Sequence, residues 1–165
     1  MSDTRPTLTG TYLCTAEIAL DANAPLNLGQ SPWRSRRVSN IAGGRFEGDR
    51  ISGTVLQSGA DWSEAGTDAD GNMTILLDIR SVWQTDDKAM IYVTYNGRLV
   101  VPKDLIPTFT NPDLVEDIDP AAYYFRINPV FEVSDPQYHW LNNVVCIGLG
   151  QRTKVGVRYQ IFVVN

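Results

Sequence analysis

Along this chain, apolar and polar residues alternate in short runs, and each run stops at a turn signal. Thr9 to Leu20 alternates and is rich in β-formers. Residues 50–57 (RISGTVLQ), 73–83 (MTILLDIRSVW), 89–95 (AMIYVTY) and 98–101 follow, then 123–133 (YYFRINPVFEV), 143–147 and 155–164. Alternation with a period of two predicts strands that bury one face. Gly43-Gly44, Asp70-Gly71, Asp86-Asp87 and Asn96-Gly97 punctuate the runs, the last pair being a strong cue for a type I′ hairpin. Gly148-Leu149-Gly150 reads as one more turn. There is no internal repeat and no low-complexity tract.

Helical periodicity is scarce. The best candidate is NPDLVEDI, with Asn111 as N-cap, Pro112 at the first helical position and acids in the first turn. It sits in a proline-containing stretch, residues 102–120, that carries no strand pattern. A loop of that length in a compact protein often covers a binding site. About eight to ten short strands in one small domain, here the whole chain 1–165, predict an all-β fold: a closed antiparallel barrel or a sandwich. A barrel is favoured because closure removes exposed strand edges.

A hairpin fixes which side chains share a face. If Asp86-Asp87 is a two-residue turn, Arg80 lies opposite Val93, Val82 opposite Ile91 and Asp78 opposite Tyr95. One face then holds Asp78, Arg80, Val82, Ile91, Val93 and Tyr95, which has the makeup of a ligand-cavity lining. A bulge in the turn inverts that sorting. In residues 123–133 the same alternation groups Tyr123, Phe125, Ile127 and Phe131 as core. It leaves Tyr124, Arg126 and Val130 facing either solvent or lumen.

Composition narrows the partners. At 165 residues, 43% apolar and 20% charged, the chain has an ordinary globular makeup. A chain this size buries roughly 70% of its unfolded surface. The net charge of −5 provides no basic footprint for nucleic acid, and Arg34, Arg36 and Arg37 form the one basic cluster, read as a solvated edge. No run approaches the ~20 apolar residues of a membrane span. The opening MSDTRPTLTG lacks the apolar core of an export signal, so a cytoplasmic protein without a membrane partner is expected. Cys14 and Cys146 are isolated in apolar contexts and fit a buried reduced pair. With a single histidine and no Cys/His cluster, no metal site is expected.

Several stretches together resemble a known family. IAGGRFEGDRISGTVLQSGADW, LLDIRSVWQTDDKAMIYVTYNG and YYFRINPVFEVSDPQYHWLNNVVCIGLGQR occur in that order between about Ile41 and Val164. They are similar to domain of unknown function 3237, also called uncharacterised protein family 311. The resemblance implies an antiparallel barrel like that of the allene oxide cyclase-like proteins, and little settled function. The chain departs from the family pattern at TDDKA, where TDDGA is more usual, and in the arginine-rich stretch before Ile41.

Candidate chemistry starts at SGADW. Asp61 beside Trp62 is either a turn residue bonded to its own backbone or an acid/base group whose desolvation lifts its pKa towards neutrality. Arg80 either stabilises an enolate or carboxylate or pairs with Asp78 or Glu132. His139 is either a structural residue or a proton shuttle, and Tyr124 is a candidate donor to a carbonyl. Trp62, Tyr95, Arg126 and Trp140 complete the set as substrate-binding candidates, Trp140 as a wall for an aromatic ligand.

Nucleophile elbows and phosphate-cradling loops are missing, and nothing calls for a nicotinamide, flavin or nucleotide cofactor. Two functions follow. One is a cofactor-independent isomerase, cyclase or lyase working by proton transfer on a hydrophobic, aromatic or polyketide-like carbonyl compound. The other is a non-catalytic barrel that binds such a small molecule. An oligomer interface on a sheet face, such as a homo-oligomer would use, is a third use of the same strands.

Overall fold

The computed structural model describes residues 5–23 and 25–165. The first four residues of the stretch read for an export signal lie outside them. The described chain is built on one antiparallel sheet: β1 Gly10–Leu20, β2 Leu26–Gln30, β3 Ser35–Glu47, β4 Ser52–Asp61, β5 Glu64–Thr67, β6 Met73–Thr85, β7 Met90–Val101, β8 Tyr124–Val133, β9 Cys146–Arg152 and β10 Gly156–Val164. Pairing runs β1-β10-β9-β8-β7-β6-β4-β3, and β3 returns to β1. Eight strands therefore close an antiparallel barrel, as expected. β2 hangs on β3, and β5 bridges β3 and β6. Among the described residues no helix is long and apolar enough to cross a membrane.

Alternation explains the core. On β6 the inward residues are Ile75, Leu77, Ile79, Ser81, Trp83 and Thr85, and on β7 they are Ile91, Val93, Tyr95, Gly97, Leu99 and Val101. One end of the interior is packed by Phe46, Trp83 and Phe131, with centroids 4.7 and 6.0 Å apart for the two Trp83 pairs. The Trp83 indole N–H donates to Ser81 Oγ at 3.1 Å, so this buried polar pair satisfies itself. Towards the other end, Tyr159 meets Tyr95 at 5.5 Å and Phe125 at 5.4 Å, both edge to face.

The β6–β7 hairpin corrects the expected face sorting. Its loop has three residues, because Thr85 N–H donates to Ala89 O at 2.9 Å and Lys88 N–H donates to Thr85 O at 2.9 Å. Lys88 takes the left-handed φ of 77°, the position a glycine usually fills in such a bulged turn. The odd loop shifts the register by one, so Arg80 pairs with Thr94, Ile79 with Tyr95 and Trp83 with Ile91. Asp78, Arg80 and Val82 therefore lie on the outer wall, while Tyr95 stays inside.

Three turn signals and one helix signal also resolve differently. Asn96-Gly97 is not a hairpin: β7 runs through it, and a Cβ at Gly97 would come within 2.8 Å of Arg126 O and of Ile127. Gly148-Leu149-Gly150 lies within β9 for a related reason, since the Phe125 ring sits where a Gly150 side chain would go. Gly43-Gly44 is a bulge inside β3, where Ala19 pairs with Gly43 but Leu20 pairs with Ile41. NPDLVEDI forms a single 3-10 turn at Val115–Asp117. Asn111 is not its cap: it accepts from Asp113 N–H at 2.9 Å in the turn before it, Leu114 stands at the N-cap without a side-chain bond, and the chain turns extended at Ile118. The stretch from 102 to 123 nonetheless buries Phe109, Val115, Ile118 and Tyr123 in the common core.

Candidate functional site

The barrel end where β4 finishes gathers ionisable side chains that face the interior. Gly59, at φ 96°, lies in a β4 bulge between Val55 and Gly59, where the strand takes a conformation that L side chains rarely adopt. Its α-carbon passes so close to β6 that a Cβ would sit 1.9 Å from Arg80 O. Beyond the bulge, Asp61 pairs with Ser39 on one side and Ile79 on the other, and Ile79 pairs with Tyr95. Cross-strand partners share a face, so Asp61 points into the barrel with Ile79 and Tyr95.

Asp61 is half-buried, and burial pushes its carboxyl from 3.8 up to about 6. The Asp78 backbone N–H (3.4 Å from Oδ1), the Arg37 charge and the Ser63 hydroxyl each pull it back, and the Asp78 carboxylate pushes the same way as burial. Desolvation wins, which is the condition for an acid/base group near neutral pH. Trp62 is not the cause. It follows Asp61 along the strand, donates its N–H to Asp78 O at 2.9 Å, and keeps 42% of its surface exposed. Neighbours on a strand take opposite faces, so the desolvating surface is the barrel interior.

Around Asp61 the same end gathers the expected Tyr95 with Arg152, Tyr159 and Ser63, which were not among the candidates, and with Arg37, which faces inward rather than lying on a solvated edge. Arg37 lies two positions before Ser39 on β3 and feels both Asp61 and Arg152. Arg152 ends β9 opposite the buried Val157; its Nη1 donates to Thr153 O at 2.7 Å and to Gly156 O, and its backbone N–H donates to Tyr123 Oη at 3.0 Å. Burial lowers the pKa of its guanidinium, and the Arg37 charge lowers it further. Tyr95 and Tyr159 are buried and hydrogen-bonded to each other; burial drives both phenols above their ordinary range, and the Asp61 charge adds to it. Ser63 is fully buried behind Asp61.

The remaining candidates are dispersed. Arg80 lies on the outer wall with 57% of its side chain exposed, 3.8 Å from Asp78. Tyr124 and Arg126 are also outside, the guanidinium 5.0 Å from the ring centroid. His139 and Trp140 belong to the 3-10 segment Pro136–Asn143, at the opposite end of the barrel. The His139 ring shares a 2.6 Å hydrogen bond with Ser134 O, and the Arg50 guanidinium lies over Trp140, 3.6 Å from the ring centroid. Thus only Asp61 and Tyr95 of the eight meet inside.

Two of the missed residues had visible signals. Tyr159 alternates with Val157 and Ile161, and Arg37 alternates with Ser35 and Ser39. The first was a plain core pattern; the second was hidden among three arginines. Arg34 and Arg36 take the other face, where both pair with Glu64 and help line an outer groove of about 560 Å3 with Leu28 and Trp33. That groove is separate from the barrel interior. Among the described residues, no group of three His, Cys, Asp or Glu side chains is placed to hold a metal.

Known proteins share this architecture. A UPF0311 protein of Rhodopseudomonas palustris is 35% identical over 117 residues, 71% of this chain and 72% of that one. The crystal structure of that protein, described as conserved and of unknown function, matches with a TM-score of 0.83 at 29% identity, covering 98% and 100% of the two chains. A β-barrel-like protein from Acinetobacter baumannii matches with a TM-score of 0.78 at 31% identity over 98% and 99%. An enzyme from Penicillium herquei has the same fold, with a TM-score of 0.64 at 22% identity over 99% of each chain. The model of the family described as "Protein of unknown function (DUF3237)" matches residues 8–164, and the chain belongs to that family.

Proposed function

We propose that the protein is a cofactor-independent enzyme that moves a proton on a small hydrophobic carbonyl compound, as an isomerase, cyclase or lyase, at the barrel end that holds Asp61. The observation that carries this reading is the half-buried Asp61 carboxyl, held near neutrality by the interior of the barrel with a guanidinium beside it. Asp61 takes the proton, and Arg37 stabilises the oxyanion that develops as the proton leaves. Such chemistry needs one base, one oxyanion partner and a fixed orientation, which a rigid barrel wall provides. That an enzyme is built on the same fold makes the scaffold compatible with catalysis.

The test is solvent-deuterium exchange. Aromatic ketones incubated with the protein in D2O should gain deuterium at the carbon next to the carbonyl, as read by NMR, and Asp61→Asn should return the rate to that of buffer. Exchange that persists in Asp61→Asn removes the base from the mechanism. Saturable binding without any exchange makes the barrel a ligand carrier instead.

A further inference from the structure

Proton transfer requires one guanidinium beside the base, and this site has two. Asp61 is the acidic side chain whose pairing turns it into the barrel next to Arg37. Among the described residues, neither Arg37 nor Arg152 lies within ion-pair distance of a carboxylate, although Arg34, Arg36, Arg45, Arg80 and Arg158 all do. Arg152 is instead steadied by two backbone carbonyls, Thr153 O and Gly156 O. Those bonds fix its direction and leave its charge in place. Two like charges half-buried at one rim oppose each other, and the Arg37 charge does act on Arg152. A barrel end with two cations and one anion is one negative charge short.

We propose that the missing charge comes with the substrate: it is an organic acid whose carboxylate binds Arg152, while its carbonyl oxygen faces Arg37 and Asp61. This rests on the proton-transfer reading for the second half only, because carboxylate binding stands whether or not a proton moves. A guanidinium offers paired N–H donors that match a carboxylate in geometry and charge. With Arg152 held at Nη1, its other donors remain for the ligand. The two arginines come from β3 and β9, so a ligand must reach across the mouth to engage both. Asp61, on β4 next to β3, lies past Arg37 on the side away from Arg152, so it meets the part of the ligand remote from its charged end.

The experiment uses the full chain and a matched pair of probes, 2-naphthoate and 2-naphthamide, titrated by calorimetry. The acid should bind at least about tenfold more tightly than the amide. Arg152→Gln should erase that preference, and Arg37→Gln, which removes no backbone tie, should reduce it as well. Arg152→Lys should restore part of it. Asp61→Asn should bind 2-naphthoate as well as or better than the native protein, since a nearby negative charge is gone. Equal affinity for acid and amide, no binding of the acid, or a preference that survives in both arginine variants overturns the proposal. If the acid preference holds while exchange is never seen, the anion site stands and the proton-transfer reading falls.

Discussion

Replacing Asp61 with Asn should stabilise the protein above neutral pH and leave it nearly unchanged in acid. Burial raises the Asp61 carboxyl from 3.8 to about 6 in the folded protein. At about 1.4 kcal/mol per tenfold change in acid strength, this corresponds to about 3 kcal/mol. The sign follows from which state holds the proton. Below 3.8 both the folded and unfolded chains are protonated and the group costs nothing. Between 3.8 and about 6 the unfolded chain ionises first, so native stability falls as pH rises. Above about 6 the cost is complete and constant. Asn cannot ionise, and it keeps an oxygen for the Asp78 N–H. The assay is urea denaturation of both proteins at intervals between about pH 4 and about pH 8, reading the difference in unfolding free energy, in which other titrations cancel. A difference growing by about 2–3 kcal/mol across that range supports the desolvation argument. A difference flat to within about 0.5 kcal/mol would falsify it.

Other substitutions probe the frame around the site. Lys88→Gly should raise stability by about 0.5–1 kcal/mol, because glycine takes the left-handed φ without a Cβ penalty; a lower melting temperature would contradict the bulged-turn register. Gly59→Ala should cost more than about 2 kcal/mol, since its Cβ would meet Arg80 O at 1.9 Å at a φ of 96°; an unchanged thermal midpoint would count against the bulge. Arg80→Ala, Tyr124→Phe and His139→Gln should each leave 2-naphthoate affinity and deuterium exchange within about twofold of native, because all three are exposed outside the barrel mouth. A loss of either activity in one of them would move the site.

The fold was legible because burial is encoded in alternation, and alternation survives without knowledge of partners. Val157-Tyr159-Ile161 and Phe125-Ile127-Phe131 announce their inner face directly. What failed to read was phase. Lys88 adds one residue to a loop, which turns Arg80 outward, and neither residue's chemistry reveals it. Glycines were ambiguous for a similar reason. Gly97 and Gly150 look like turn residues, yet they are absent side chains that make room for a ring or a neighbouring backbone. Asp61 stands out in the sequence by its local setting, but its burial comes from the inward pairing with Ile79, which the sequence does not display. Arg37 reads with Arg34 and Arg36 as a solvated edge because β3 is polar and its alternation breaks midway.

That break has a consequence for how such barrels diversify. Below the extra residue of β3, the even positions Gly44 and Phe46 face inward with Val55 and Gly53; above it, the odd positions Ile41 and Ser39 do, and Arg37 follows them. Were the bulge ironed out with the chain unchanged in length, the even positions would run inward throughout, turning Arg37 out and swinging Arg36 in, away from Glu64. The interior would then inherit a different guanidinium, at a different height, with no change in composition. Among relatives of this chain, the residue standing at Gly43, whose φ of 128° the bulge requires, is therefore a marker of which arginine faces the interior.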